Sequence, residues 1–572
     1  MEKEARAVKK KKRQQGANAY GWACDFETNN DENDCRVWCW GAENIETGEY
    51  RRGKTIEEFI NFLARVPEKN LYFHNLKFDG GFIIDWLLNA GFKYTEDTLH
   101  MSAGEFGALI SNMNVFYTIT TKLGGKLHQI IDSLKILPFP ISAMPKMFGL
   151  PESKGEIEYD KPHPKGYEPT EEEWDYLYRD VHILAGGLKY IFTQGHRKIT
   201  AASNAYTNLK EMIGKEWGIL FPRLDEGLDH ILRKGYKGGY TIVGPQGKNG
   251  DVGSGIVLDR NSMYPSEMAN GLLPYGQPVH YNGEYKDDPN MPLYVARIRC
   301  SFDVKEGYLP TIQLKSTIGF NPVEYLTTTN GEIVELTLTN IDLELFKEHY
   351  EADIEYLDGW KFRAREGILR PFVEHWYTIK EQASIDKNDA LRTLAKLMLN
   401  SAYGKFAKRG VGACKEPVLE DGIVRYRELE EENMRLEYLP MGMFITARAR
   451  DNVIRLGQRL YGRLLYIDTD SLHLLGDEIP DFIEQHPTKL GAWDKELSFI
   501  RARYIRPKTY LEDTGENLIV KCAGLSSDCK TQVTWENFHE GAVYTGKLQH
   551  KTVRGGVVLK PTEFKIKVDK SF

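Results

Sequence analysis

The sequence predicts an α/β (α+β) protein of at least two domains, each centred on a strand-borne set of carboxylates. Three observations carry that prediction. The 572 residues exceed the roughly 250–300 at which a single core stops growing. Apolar runs of strand length, such as GIVLD and LLYI, stand beside stretches of helical period, such as LRTLAKLMLNSAYGKF. The striking acids fall into two groups, Asp25, Glu27, Asp79 and Asp180 in the first third and Asp259, Asp468 and Asp470 beyond it. Each group has the spacing of a two-metal phosphoryl-transfer centre.

Composition removes several classes. The N-terminus, MEKEARAVKKKKRQQG, is charged from its second residue and has no apolar leader, and no run of about 18 apolar residues occurs. A soluble, intracellular protein is expected. Seven cysteines without a CxxC pair argue against a disulfide framework and a structural zinc site. Cys35 and Cys39 are read as strand residues. The net charge of −7 sits awkwardly with phosphate binding, which needs Lys and Arg, so distribution decides. The acidic stretch Glu428–Glu432 is read as surface. Between Lys547 and Lys570 seven basic residues face two acidic ones and alternate with apolar residues, as in KIKV. Such a strand lays positive charge along a nucleic-acid backbone, and an edge strand protected by lysines is the alternative. The Lys9–Arg13 run is read as part of a flexible tail rather than a localisation signal.

In GWACDFET, read as a strand, Asp25 and Glu27 lie at i and i+2 and project from one face. Adjacent carboxylates repel unless a cation lies between them, so the pair points to a metal or a raised pKa, although alone it is explained as well by chance. In LYFHNLKFDGGFIIDWL an apolar strand ends at His74-Asn75, and Asp79 opens an apolar helix. In WDYLYRDVHIL, Tyr176 and Asp180 are one helical turn apart. Four acids and a tyrosine in this order resemble the DEDD-type exonuclease domain of replicative polymerases, in its DxE, NxxxFD and YxxxD form. The resemblance implies two divalent metals on Asp25, Glu27, Asp79 and Asp180, with Tyr176 orienting the attacking water and Lys154 neutralising the scissile phosphate. It also implies single-strand contacts, with His74, Phe78, Phe82 and Tyr159 as stacking platforms and Asn75, Ser133 and Leu134 on sugar and phosphate. Each of those aromatics, taken singly, also reads as core.

In GIVLDRNSMYPSEM an apolar strand ends at Asp259, before a turn and a helix start. In GRLLYIDTDSLHLL, Asp468 and Asp470 sit where two apolar runs meet in a β-hairpin. Between them, LRTLAKLMLNSAYGKF sets Lys396, Asn400 and Tyr403 at i, i+4 and i+7 on one helical face. A buried stripe is the alternative, yet buried stripes seldom include lysine and asparagine. These stretches resemble motifs A (Dx2SxYP), C (YxDTDS) and B (Kx3NSxYG) of family B DNA polymerases. The resemblance implies metal binding by Asp259, Asp470 and the backbone carbonyl of Arg260, with Asp468 in support. It implies nucleotide contacts by Lys380, Lys396, Asn400 and Tyr403, and a Tyr264 ring beneath the sugar that excludes a 2′ hydroxyl. The metals would be Mg2+, with Mn2+ as the alternative, two ions per site. Arg260 is a departure, since the family usually has an apolar residue there.

Three further stretches narrow the resemblance. YKGGY matches YxGG, whose glycines let backbone approach DNA closely; TARAR at Thr446–Arg450 matches a TxxxR primer-contact motif; and Lys508-Thr509-Tyr510 matches KxY. DNA contacts are thereby implied for Tyr236, Gly238, Gly239, Thr446, Arg450, Lys508 and Tyr510. From about Ala23 to Lys567 the chain resembles the protein-primed family B polymerases of small tailed phages, the phi-29 type. The implied fold is an RNase H-like 3′–5′ exonuclease domain (1–198) followed by a right-hand polymerase domain (199–572). Within the latter, the palm is expected at about 199–270 and 434–524, insertion 1 at 271–360, fingers at 361–406, insertion 2 at 407–433 and thumb at 525–572. In that family one insertion meets a priming terminal protein and the other helps enclose the template. The partners implied are template and primer DNA, dNTPs and a terminal protein, with no membrane. A strand-displacing monomer in the cytoplasm of a bacterial host follows by the same resemblance.

Other classes fit less well. A repair nuclease with an inert polymerase-like half predicts decay of the second acidic set, yet Asp259, Lys396, Tyr403 and Asp470 are all present. A single-strand binding module needs basic and aromatic residues but leaves seven placed acids unexplained. A reverse transcriptase would share the paired aspartates of motif C, but neither the first acidic set nor Tyr264.

Overall fold

The computed structural model describes residues 20–151, 153–155, 161–313, 325–409, 411–433 and 435–567. Tyr159 and the Lys9–Arg13 run lie outside the described residues.

The strand Val37–Asn44 (VWCWGAEN) is buried at all eight positions, which requires cover on both faces. It is second in an eight-stranded sheet ordered Tyr50–Gly53, Val37–Asn44, Trp22–Thr28, Asn70–Phe73, Lys126–Asp132, Phe116–Leu123, Glu105–Ile110 and Lys93–Tyr94. Trp22–Thr28 pairs antiparallel with Val37–Asn44 and parallel with Asn70–Phe73, so the strand of Asp25 and Glu27 is internal. The helix Leu76–Asn89 packs on Phe116–Leu123 and Lys126–Asp132, while Glu171–Thr193 packs on Trp22–Thr28 and Val37–Asn44. The second helix starts in a capping box: Thr170 accepts from the Glu173 amide and Glu173 accepts from the Thr170 amide. Cys39 lies on its strand as expected. Cys35 falls just before it, and its thiol meets the Val557 carbonyl at 3.6 Å.

The second half is built on a five-stranded antiparallel sheet ordered Trp493–Phe499, Gly255–Arg260, Ser471–Leu475, Leu464–Asp468 and Thr241–Val243. Its centre is the pair Gly255–Arg260 and Ser471–Leu475, which places Asp259 opposite Ser471. A smaller sheet of Asp251–Val252, Arg501–Arg506, Thr509–Asp513 and Leu518–Cys522 follows. Where the first insertion was expected, strands Leu272–Asn282, Tyr350–Glu366, Leu293–Val304 and Val334–Thr339 form a four-stranded sheet, with the helix Asn340–His349 against it. The helices Arg370–Ile385 and Asp389–Ser401 pair beside the five-stranded sheet's first helix, Met263–Asn270. Tyr403 lies past the end of its helix, in a 3-10 turn, rather than on its third turn.

Where the second insertion was expected there is a hairpin, Lys415–Glu420 and Ile423–Glu428, turned at Asp421-Gly422 with positive φ at both residues (52° and 74°). The C-terminal hairpin, Val543–Val553 and Gly556–Lys565, returns to the first domain. Its Val553, Val557 and Val558 share one apolar cluster with Phe82, Ile83 and, from the 415–428 hairpin, Val424. The strand in KIKV ends at Lys565, and Ile566 is buried. Among the described residues no helix is long and apolar enough to cross a membrane.

Candidate active sites

The first site is fixed by three elements. Asp25 and Glu27 share a face of the internal strand, Asp79 sits in the first turn of Leu76–Asn89, and Asp180 lies one turn after Tyr176. The helix under Asp79 starts sharply because Asn75 adopts a φ of +73°, and the Asp132 carboxylate accepts from the Asn75 and Leu76 amides at 3.1 and 3.3 Å. Lys154 Nζ lies 2.9 Å from Asp180 Oδ2 and 5.6 Å above the Tyr176 ring. Gly155 permits this approach, since a Cβ there would stand 3.1 Å from that ring.

Burial, reinforced by Asp180 and opposed by Lys154, pushes the Asp25 carboxyl up to about 7. Burial and then the charge of Asp25 raise Glu27 and Asp79 well above the ordinary carboxylate range. Asp180 Oδ1 is buried without a hydrogen-bond partner. A crowd of buried carboxylates with an orphaned oxygen is the donor set a hard divalent cation takes. Among the described residues no group of three or more His, Cys, Asp or Glu side chains is arranged as a ready-made metal site.

The expected single-strand contacts divide. Phe78 is half-buried, in T-shaped contact with Phe82 and His550 at 5.6 and 5.7 Å. Phe82 is 2% exposed and packed where Gly556 leaves room for its ring, so it offers no platform here. Ser133 is fully buried and donates to the Phe73 carbonyl at 2.9 Å, while His74 is held between Ser133 and the Phe139 carbonyl. Those two side chains organise backbone in this structure. Asn75 and Leu134 remain half-buried beside them.

The second site is a cleft of about 940 Å³. Asp259 and Asp470 line it together with Tyr264, Lys380, Lys396, Asn400 and Tyr403, bringing sequence motifs from three separate stretches to one place. The DTD turn holds its shape through Thr469, which has a φ of +64° and donates its amide to the Tyr240 carbonyl at 2.8 Å. The Arg260 amide donates to the Asp470 carbonyl at 2.8 Å, locking the two strands in register. Burial, then Asp470, raises the Asp259 carboxyl to about 7, with Lys396 opposing, and burial raises Asp470 as well. Asp468 is absent from the cleft lining and pairs with Lys508.

The opposite wall is cationic. Burial and the nearby charges of Lys396 and Arg392 pull the Lys380 ammonium down, as three cations without a local polyanion should. Arg392 also lines the cleft. Sequence reading missed it, though its place one helical turn before Lys396 was the available signal. Tyr264 stacks on Tyr403 at 4.3 Å. A Cβ on Gly239 would stand 2.9 Å from the Tyr264 hydroxyl oxygen and 2.7 Å from the Thr469 methyl, which is why glycine is required there. Gly238 faces open space.

Thr446 and Arg450 do not face the cleft. The Thr446 hydroxyl is buried and donates to the Gly442 and Met443 carbonyls, each at 3.0 Å. Arg450 is 4% exposed, forks onto Asp342 at 2.7 and 2.8 Å, and donates to the Lys237 and Gly238 carbonyls at 2.7 and 2.9 Å. It thus shapes the YKGGY turn from behind. Tyr236 is half-buried; Tyr510 packs its ring on Tyr466 and His473. Asp342→Ala would leave the Arg450 charge buried and unpaired, so a loss of about 3–5 kcal/mol in unfolding free energy is expected, measured by denaturant titration.

A family model for DNA polymerase type B, organellar and viral, matches residues 64–167 and 156–488. The DNA polymerase of Bacillus phage phi29 is 43% identical over 577 residues, 96% of this chain and 99% of the relative. That of Streptococcus phage Cp-1 is 34% identical over 96% of this chain and 98% of the relative. The solved structure of phi29 DNA polymerase complexed with primer-template DNA and incoming nucleotide substrates matches with a TM-score of 0.90 at 42% identity, over 96% of this chain and 99% of that one. An RNase H-like exonuclease-type domain followed by a right-hand polymerase domain with two insertions is the architecture of a family B DNA polymerase. Within that class the chain belongs to the phi29-type polymerases, and it is a DNA-directed DNA polymerase.

Proposed function

We propose that this polymerase replicates a linear phage genome, adding deoxynucleotides at the Asp259/Asp470 cleft and removing misplaced ones at the Asp25/Asp180 site. The observation that carries the reading is the presence of two separate carboxylate groups in one chain, one largely buried and one half-buried at a cleft, each with its own lysine. Asp259, Asp470 and the Arg260 carbonyl would hold two Mg2+ or Mn2+ ions at the cleft, and Asp25, Glu27, Asp79 and Asp180 two at the other site. When bound, these ions supply charge neutralisation on the phosphates and a more acidic hydroxyl or water. The protein's own part is placement. Lys380, Arg392 and Lys396 receive the triphosphate, Asn400 and Tyr403 flank the new base pair, and Tyr264 rests under the sugar. At the exonuclease site Tyr176 orients the water and Lys154 meets the scissile phosphate, with Phe78, His74, Asn75, Ser133 and Leu134 near the strand's path. Tyr236, Gly238, Gly239, Lys508 and Tyr510 are proposed to contact the duplex beside the cleft.

Tyr264→Val is expected to admit ribonucleotides at least about a hundredfold better relative to dNTPs, read by single-nucleotide extension. Unchanged sugar discrimination removes the steric role.

The domain limits proposed are exonuclease 1–198, palm 199–270 and 434–524, insertions 271–360 and 407–433, fingers 361–406 and thumb 525–572. Initiation on a terminal protein at the first insertion is proposed from family membership and from the independent sheet that occupies that interval. Strand displacement gains support from the 415–428 hairpin touching the C-terminal hairpin, where Arg554 donates to the Asp421 carbonyl at 3.3 Å. The solved relative bound to primer-template DNA and nucleotides supports the same partners here. The enzyme is proposed to act as a monomer in the cytoplasm of the bacterial host. Incubation with a candidate terminal protein, labelled dNTP and Mg2+ should give a covalent protein–nucleotide adduct. A primer-dependent enzyme that forms no adduct with its phage's terminal protein would defeat protein priming.

A further inference from the structure

Part of the nucleotide cleft is walled by a segment with neither helix nor strand. Pro487 and Thr488 line the cleft, and residues 486–492 connect them back to the five-stranded sheet. Such a wall keeps its place only through bonds to firmer elements. Four come from the two residues after Asp259. The Asn261 amide donates to the Ala492 carbonyl at 2.9 Å, its side chain donates to the His486 carbonyl at 2.7 Å, and its own carbonyl accepts from the Gly491 amide at 2.8 Å. Arg260 Nε donates to the Gly491 carbonyl at 3.0 Å. Within the segment, His486 Nδ1 accepts from the Thr488 and Lys489 amides at 3.1 and 2.8 Å, making a tight turn.

Arg260 does more than close one bond. Its guanidinium, with 12% of the side chain exposed, also pairs with Glu267 at 2.9 Å, and Glu267 accepts from Asn452 at 2.9 Å. One charged fork therefore ties the cleft wall to the helix Met263–Asn270 and, through it, to the long helix Leu439–Arg459. Charge-assisted bonds in a dry setting are short and directional. Gly491 completes the arrangement: its φ is +81°, and a Cβ there would stand 3.0 Å from the Ser266 Cβ.

We infer that Arg260 is a positioning residue for nucleotide binding, its side chain holding residues 486–491 as the wall that faces the cations Lys380, Arg392 and Lys396. The inference rests on the proposal that this cleft takes the incoming nucleotide. It is tested with the full-length enzyme by primer extension, measuring KM for dNTP and kcat, with thermal unfolding in parallel. Arg260→Met, which keeps the stem and removes the donors, is expected to raise KM about tenfold with a smaller change in kcat. Gly491→Ala keeps the Arg260 side chain but displaces the same segment, its Cβ crowding Ser266 at 3.0 Å and reaching the Arg260 guanidinium at 3.6 Å, and should raise KM in the same direction. The double variant should fall short of the product of the two effects, and Arg260→Lys should recover part of the KM. An unchanged KM in both single variants overturns the inference, as does a fall in kcat at constant KM. If Arg260→Met does not fold, Gly491→Ala alone decides by the same criterion. Asp470→Ala, run alongside, separates the failures. If it still extends primers, the cleft is misassigned; if it is inactive while KM for Arg260→Met is unchanged, only the role of Arg260 falls.

Discussion

Asp259→Ala should abolish nucleotide addition, by about a thousandfold or more, while 3′–5′ degradation of single strands continues within about twofold. Asp259 lies one residue before the end of an internal strand of the five-stranded sheet, faces the cleft, and has its carboxyl raised to about 7 by burial and by Asp470. On the proposed metal binding, a divalent ion would compete with the proton on this group near neutral pH, and removing the carboxylate would remove one of its two proposed side-chain partners. Besides half-buried Asp470, the acid among the described lining residues is the exposed Glu381 on the cationic wall, so nothing replaces Asp259. The first acidic set is built on a different sheet and the two helices packed on it, and should not register the change. The check is a pair of assays on one preparation, primer extension and digestion of a labelled single strand. Loss of both activities from this one substitution would refute two independent centres.

The acids were legible in the sequence because their positions are set by local rules: an i, i+2 pair on a strand, a helix opening on Asp79, a two-strand hairpin tipped by DTD. Tyr264 and Tyr403 were legible only through resemblance to motifs A and B, since Tyr403 lies past its helix rather than on its third turn, yet the structure stacks them. Direction was harder. Thr446, Arg450, Ser133 and Phe82 sit in recognisable motifs, yet their side chains turn inward to carbonyls, Asp342 or a packed ring. A motif fixes residue type and spacing, whereas the neighbour that claims a side chain comes from elsewhere in the chain. Arg450 and Asp342 are 108 residues apart. The return of the C-terminal hairpin to the first domain, through Cys35 and Val557 or Asp85 and Gly555, spans 522 and 470 residues. No local period carries such a contact. Arg392 was missed because a lone arginine on a helix reads as a solvated face until Lys380 and Lys396 are seen beside it.

Replacing Asp25 and Asp79 together by Ala should do the reverse of Asp259→Ala, reducing single-strand degradation by about a thousandfold or more and leaving primer extension near wild type. A loss through unfolding is distinguishable, because the electrostatics predict the opposite sign. Burial raises the Asp25 carboxyl to about 7 and Asp79 well above its ordinary range. Groups with raised folded-state values bind more protons folded than unfolded, so without metal they cost stability as pH rises from about 4 through 7. Removing them lifts that cost. In chelator the double variant should therefore melt higher than wild type near pH 8, and the difference should shrink toward about pH 5, where the carboxyls are protonated in the fold. Added Mg2+ should stabilise wild type more than the variant, since the binding free energy adds only where the ligands remain. A variant that melts lower at both pH values, or that loses extension along with degradation, would mean these carboxylates brace the fold rather than form a separate hydrolytic centre.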